Sequence, residues 1–412
     1  MREMKDSGVR WIGEIPTKWT IAKAKNCVEI QNGSDPKTEG SIPVYGSGSM
    51  SFKTCGEYKE GPSVLIGRKG ATLHIPHYIS SKFWNVDTAF NVYSKSIFDL
   101  KYYFYCAHVF DYTFYMSQTT LPSMTQTAYE NMFLPLPTKE EQYAIANQLD
   151  QICSKIDAVL EKTRASIEEY KKLKQTVITQ VVTKGVRGDR PMKDSSIEWI
   201  GEIPAGVPIS RVGLHFDIVL GKMLCSAPVD DNYTLESYYC AADVHFEGLS
   251  NGEKKKMWFS PDEKEQYCVK NGDLLVVEGG AGAGGCAIAV STDVPIYIQN
   301  SIMIVRSKGI SNIRYLRYLL ECLVKKGYID VVCNKATIPH FTKDKLANVP
   351  FIVFSQSEQE EIAEYLNEKC AGIDALIVKR QQYLTEIENY KKSLIYEYVT
   401  GKKEVKTSVL AN

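Results

Sequence analysis

Between Thr138 and Thr183 apolar residues fall at Ile145, Leu149, Ile152, Ile156, Val159, Ile167, Tyr170, Leu173, Val177 and Val181, in steps of mostly three and four. That spacing is the seam of a coiled coil. At 1.5 Å per residue such a helix runs roughly 65 Å, several times the length of the ~11–12-residue helix of an ordinary domain. It cannot bury its seam alone, and the chain supplies a partner. From Ser355 to Thr400 the pattern returns at Ile362, Leu366, Cys370, Ile373, Leu376, Leu384, Ile387, Tyr390, Leu394 and Tyr398, each 217 residues beyond its counterpart except Cys370, which stands 218 beyond Ile152.

The two segments share more than a seam. Both open with a capping box, Thr138-x-x-Glu141 and Ser355-x-x-Glu358, in which the hydroxyl takes a free backbone N–H and the carboxylate reaches back. Both continue as Glu-Gln-x-x-Ile-Ala-x-x-Leu (Glu141 to Leu149, Glu358 to Leu366) and Ile-Asp-Ala (Ile156 to Ala158, Ile373 to Ala375), and both close near a glycine, Gly185 and Gly401. Thr163 and Arg380 interrupt the seams at equivalent positions, as register-setting polar residues do. The opening of the chain is repeated too: Met4 to Pro16 reappears as Met192 to Pro204, offset by 188. One unit has been written twice, and repetition places the end of the second helix beside Met4 to Pro16.

The stretches between, about 21–137 and 209–354, read as mixed α/β. Short apolar runs at Ser63 to Ile66, Asn91 to Tyr93, Asp273 to Val277 and Ser301 to Val305 suggest strands, and Leu100 to Tyr115 and Ile313 to Lys326 suggest helices. Each block then ends in a proline-centred stretch, Thr120 to Thr125 and Thr337 to Thr342. At 412 residues, 44% apolar and 24% charged, the chain is ordinary globular material. It has no apolar run of membrane-spanning length and its N-terminus lacks the apolar core of a signal peptide, so a cytoplasmic location with no membrane partner is expected. The eleven cysteines are scattered without a C-x-x-C pair, which points to reduced, buried thiols, and His74 and His77 have no ligand partners for a metal. A net charge of zero argues against broad phosphate affinity, so any DNA affinity must be local or shared with partners.

The duplicated order of W-I-G-E-I-P, variable α/β block, E-Q-x-x-I-A-x-x-L, Ile-Asp-Ala and a Val-Thr helix end resembles the specificity (S) subunit of type I restriction–modification systems over nearly the whole chain. The resemblance implies a mixed α+β fold in which two similar target-recognition domains are joined by two long antiparallel coiled-coil helices, an internal duplication with cyclic pseudo-symmetry. Residues 1–137 and 191–354 would be the recognition domains, and 138–190 and 355–412 the helices. It further implies a non-catalytic subunit, without cofactor of its own, that binds a bipartite double-stranded DNA target and directs two adenine-methyltransferase subunits to it, with restriction (endonuclease/translocase) subunits as further partners. A recognition subunit of a related fused methylation/cleavage system would share the layout. A coiled-coil scaffold with no DNA role would leave two large dissimilar blocks without a purpose.

Candidate DNA contacts follow from residue chemistry. Arg68 and Lys69 lie in the turn Ile66-Gly-Arg-Lys-Gly70, where a guanidinium could reach guanine O6 and N7 and the lysine a phosphate. Gln118, Thr119 and Thr120 carry amide and hydroxyl groups suited to base edges. In the second block the candidates are Lys254, Lys255 and Lys256 for phosphates, with Lys335, Thr337 and His340 flanking the turn at Pro339. Gly280 to Gly285 matches G-x-G-x-x-G, but the β-branched residues that follow predict strand, turn, strand rather than a dinucleotide-binding helix start. The sequence contains no G-x-S-x-G, no P-loop, no H-E-x-x-H and no adenine-methyltransferase D/N-P-P-Y/F, so chemistry must come from partners.

Overall fold

Each repeat builds the same four-stranded antiparallel sheet. In the computed structural model, which describes residues 2–48, 50–70, 72–116, 122–333 and 339–405, the first repeat contributes β1 (Val28–Asn32), β2 (Ser63–Gly67), β3 (His77–Ile79), β4 (Ala89–Ser94), α1 (Leu100–Ala107) and the long helix α2 (Lys139–Lys184). The second contributes β5 (Phe216–Leu220), β6 (Leu274–Val277), β7 (Cys286–Ile288), β8 (Ile302–Ser307), α3 (Ile313–Lys325) and the long helix α4 (Gln356–Val399). The strand orders match, β1-β4-β2-β3 and β5-β8-β6-β7. The central strands β2 and β6 are buried throughout, as expected of apolar runs without polar alternation. α1 and α3 cover their sheets with Tyr102, Tyr103 and Cys106 in one and Tyr315, Leu319 and Cys322 in the other.

All four expected strands are present, and α3 ends within one residue of expectation. α1 is shorter than the helix predicted over Leu100 to Tyr115: it stops at Ala107 and a short 3-10 turn follows at Tyr112–Phe114. The Tyr112 hydroxyl donates 2.7 Å to the Ala107 carbonyl, satisfying a helix-end acceptor, while Phe110 is buried against Trp11 and Tyr103. The glycine-rich Gly280 to Gly285 joins β6 to its antiparallel neighbour β7, the expected strand, turn, strand.

The chain divides into two compact units, Met1–Ala165 with Arg380–Asn412, and Ser166–Lys379. Within the first, Asp157 pairs with Lys391 and Arg164 with Glu388, each at 2.6 Å, so the helix segments run antiparallel. Within the second, Lys174–Asp374 at 2.7 Å and Arg187–Glu361 at 2.6 Å give the same sense. The end of α4 packs beside the N-terminal hairpin of its own unit: Tyr396 donates to the Ile12 carbonyl at 2.9 Å, and Arg2 pairs with Glu404 at 2.7 Å. The expectation that the end of the second helix lies beside Met4 to Pro16 is borne out.

Three details differ from the sequence reading. The capping hydroxyls work as expected, Thr138 and Ser355 each accepting a backbone N–H at 3.3 Å, but the glutamates do not turn back. Glu141 instead takes the Trp19 indole N–H at 3.0 Å, and Glu358 the Arg190 guanidinium at 2.5 Å. The buried stripe of α2 passes through Cys153, Leu160, Thr163 and Ile167, leaving Val159 and Leu173 exposed; Leu376 and Tyr390, their repeat equivalents, are exposed too. Thr163 bonds the Val159 carbonyl of its own helix and Arg380 faces solvent, so neither sets register across the seam.

Candidate nucleic-acid interface

The turn after the central strand is held identically in both repeats. After β2, Arg68 N donates to Thr88 O (2.8 Å), Gly70 N to Pro122 O (3.0 Å), and Arg68 O accepts from Met124 N (2.9 Å). After β6, Glu278 N donates to Ser301 O (2.8 Å), Gly280 N to Pro339 O (3.1 Å), and Glu278 O accepts from Phe341 N (2.6 Å). Gly70 and Gly280 both have positive φ, 112° and 91°, a conformation in which a side chain would be strained. The glycine turn and the proline-centred stretch from Pro122 or Pro339 onward, more than fifty residues apart in sequence, are thus bonded into one junction. It presents different side chains in the two repeats: Arg68 and Lys69 in the first, and in the second Glu278 alone, since Gly279 has none.

Arg68 is part-exposed, with its guanidinium 5.8 Å from the Phe90 ring centre and one nitrogen 3.4 Å from the Asp87 carbonyl. Lys69 reaches within 3.9 Å of the Asp87 carboxylate, both about half exposed, a pair too solvated to hold the amine in place. Beside them Thr72 bonds the Ser47 carbonyl at 3.1 Å, and Met50 and Phe52 of that same loop are 81% and 60% exposed, with the Lys53 amine over the Phe52 ring. Exposed aromatics interleaved with cations are the side chains that meet bases and phosphates. At the second junction His340 is exposed and its Nδ1 lies 3.2 Å from Glu278 Oε2. His340 therefore sits where the sequence placed it, and Glu278, which sequence reasoning passed over, stands beside it. Lining up the two glycine turns by their proline-centred stretches would have revealed Glu278.

The lysine triplet separates. Lys255 and Lys256 begin an edge strand, Lys255–Phe259, and are both exposed, free to meet a phosphate. Lys254 is directed inward, which corrects its expected role: its amine bonds Asp243 (3.1 Å) and the carbonyls of Ser250 (2.7 Å) and Gly252 (2.9 Å), above the Tyr239 ring. Burial alone would raise the Asp243 carboxyl, but the Cys240 N–H and Lys254 outweigh it and hold the group below its usual range. Gln118, Thr119, Thr120, Lys335 and Thr337 lie outside the described residues. Among the described residues no cluster of metal-ligating side chains occurs and no helix is long and apolar enough to cross a membrane.

A scaffold written twice, with matched backbone bonds and differing exposed side chains, defines a duplicated recognition protein. The family model of the type I restriction modification DNA specificity domain matches residues 16–169 and 247–386, most of the chain, which therefore belongs to that family and is a DNA sequence-recognition subunit of a type I system. The specificity subunit of the type I restriction enzyme MjaVIII from Methanocaldococcus jannaschii is 28% identical over 329 residues, spanning 76% of this chain and 72% of its own. The putative MjaX specificity subunit of the same organism is 26% identical over 298 residues, 69% of this chain and 62% of its own. A solved chain described under "complex assembly and conformational transition of the type I R-M system" superposes with a TM-score of 0.72 at 16% identity, covering 94% of this chain and 99% of that one, a likeness of fold.

Proposed function

We propose that each unit reads one half of a bipartite double-stranded DNA target and that the chain directs adenine-methyltransferase subunits, which use S-adenosylmethionine, to it, with restriction subunits joining the assembly in the cytoplasm. The observation that carries this reading is the duplicated junction, where one backbone arrangement displays different base-reading chemistry in each repeat. Arg68 reads guanine, Lys69, Lys255 and Lys256 anchor phosphates, and catalysis resides in the partners. Two methyltransferase subunits are supported by the duplication of the helices: each unit exposes an apolar residue on both long-helix segments, Val159 and Tyr390 in the first and Leu173 and Leu376 in the second.

Zero net charge then has a consequence. Partners supply most phosphate contacts, so the free chain binds DNA weakly and the assembled complex binds far more tightly at low salt. Copurification with a methyltransferase, followed by mapping of methylated adenines, should give two short specified blocks flanking an unread stretch. Equal DNA affinity of free chain and complex, or methylation without a sequence motif, overturns the reading.

A further inference from the structure

The first repeat's Arg68 and the second repeat's Glu278 occupy one position of the duplicated junction, each leading out of the central strand, each with its N–H on the strand-side carbonyl and its C=O on the proline-centred stretch. A guanidinium in one repeat and a carboxylate in the other are opposite in charge and hydrogen-bonding sense. The backbone bonds that join the turn to the strand and to the proline-centred stretch are the same whichever side chain stands there, so they require neither charge. Beyond them Arg68 touches the Asp87 carbonyl at 3.4 Å and Glu278 touches His340, and both side chains remain part-exposed. In Glu278 the side chain is part-exposed, Oε2 lies 3.2 Å from His340 Nδ1, and Oε1 has no hydrogen-bond partner among the described residues. His340 is on the proline-centred stretch and pairs with Gly279 across the junction, so the ring beside the carboxylate is carried by backbone that is bonded to the turn.

Resting on the reading of the chain as a bipartite DNA recognition subunit, we propose that Glu278 is a base-reading residue of the second half-site, accepting a hydrogen bond from the exocyclic amino group of a cytosine, with His340 as its positioning residue. A carboxylate is an acceptor only, and in the major groove the cytosine N4 amino group is the donor it matches. Arg68, which offers donors alone, fits the acceptor pair of guanine at the corresponding position of the first half-site. The two repeats would read complementary chemistry from the same scaffold position.

The test uses the complex of the full chain with its methyltransferase partners and maps the methylated motif by sequencing. In Glu278→Gln one position of one half-site should lose its preference by about 5- to 150-fold, with the other half-site unchanged, since the amide adds a donor where only an acceptor served. Glu278→Arg should shift that position toward guanine, and Arg68→Ala should relax the opposite half-site. His340→Ala should weaken preference at the Glu278 position alone, and His340→Asn, which keeps a nitrogen donor near Nδ1, should restore it; a merely structural histidine would lower stability without changing the motif. An unchanged motif in both soluble Glu278 variants overturns the proposal while leaving the wild-type bipartite motif standing. A wild-type complex that methylates without any bipartite motif removes the functional reading itself, and this proposal with it.

Discussion

Lys59 is held without a counter-ion among the described residues: its amine bonds the side-chain oxygens of Asn91 (2.6 Å) and Asn85 (2.8 Å) and the Asn32 carbonyl (3.1 Å). Burial pushes it down from 10.5 to about 8. The second repeat has apolar residues at the matching places. Val269 donates to Ile296 as Lys59 does to Phe83, Ile298 pairs with Tyr239 as Asn85 does with Tyr45, and Ile304 pairs with Leu275 as Asn91 does with Leu65. One repeat thus fills with a polar cluster the space that the other fills with hydrocarbon. Between pH 8 and 10.5 the unfolded chain holds the Lys59 proton that the folded chain releases, so folding stability gains with rising pH through that window and loses nothing further below it. Buried cysteines such as Cys27, raised to about 11, act in the opposite sense above pH 9, so the effect must be read as a difference. We predict that the stability of the wild type relative to Lys59→Met increases from pH 8 to pH 10; denaturant midpoints that move in parallel would show that the amine is effectively solvated.

At the scale of elements, the glutamine of the repeated Glu-Gln pair joins a long helix to its domain. Gln142 accepts from Asp99 N (2.7 Å) at the start of α1 and donates to the Pro137 carbonyl (3.0 Å), and Gln359 accepts from Asn312 N (2.8 Å) at the start of α3 and donates to the Phe354 carbonyl (2.7 Å). Both side chains are buried. Gln359→Ala should therefore cost at least about 1–3 kcal/mol by orphaning buried backbone groups, while Gln356→Ala, an exposed position in the same first turn, should change little. Equal melting temperatures for the two variants would dismiss the clamp. The motif was visible in the sequence because it is local and repeated, as were the long helices, the hairpins and the central strands. The stripe was misplaced at Val159 because two adjacent columns, Ile145, Ile152 and Val159 and then Ala146, Cys153 and Leu160, are both apolar at a seven-residue repeat, and at Val159 and Leu160 it is the second that faces inward. Lys254 was beyond reach for another reason. Its role depends on Asp243 and on the carbonyls of Ser250 and Gly252, partners that only the folded chain turns toward its amine.

For the whole molecule, the duplication makes the position of the chain ends arbitrary. The first unit is already assembled from two pieces, Met1–Ala165 and Arg380–Asn412, whereas the second, Ser166–Lys379, is continuous. The second unit's continuity runs through the segment from Gly185 to Met192, and in the first unit the corresponding place is the gap between the chain ends, where Arg2 pairs with Glu404 at 2.7 Å. Gly188 in that segment is exposed, and a cut on its C-terminal side keeps Arg187 with α2 and Arg190 ahead of the second hairpin, so the Arg187–Glu361 and Arg190–Glu358 pairs survive. A chain that begins at Asp189, runs to Glu404, crosses a short flexible linker to Arg2 and ends at Gly188 would make the first unit continuous and split the second. Every packed element keeps its neighbours in such a chain; only the entropy of one loop is exchanged for another of similar length. We predict a melting temperature within roughly 2–4 °C of the parent, the equivalent of ~1 kcal/mol for a domain of this size. The permuted chain, assembled with its partners, should also yield the same methylated motif. An insoluble chain, or a stable one with an altered motif, would show that the two repeats are alike in fold but not interchangeable in the order the chain visits them.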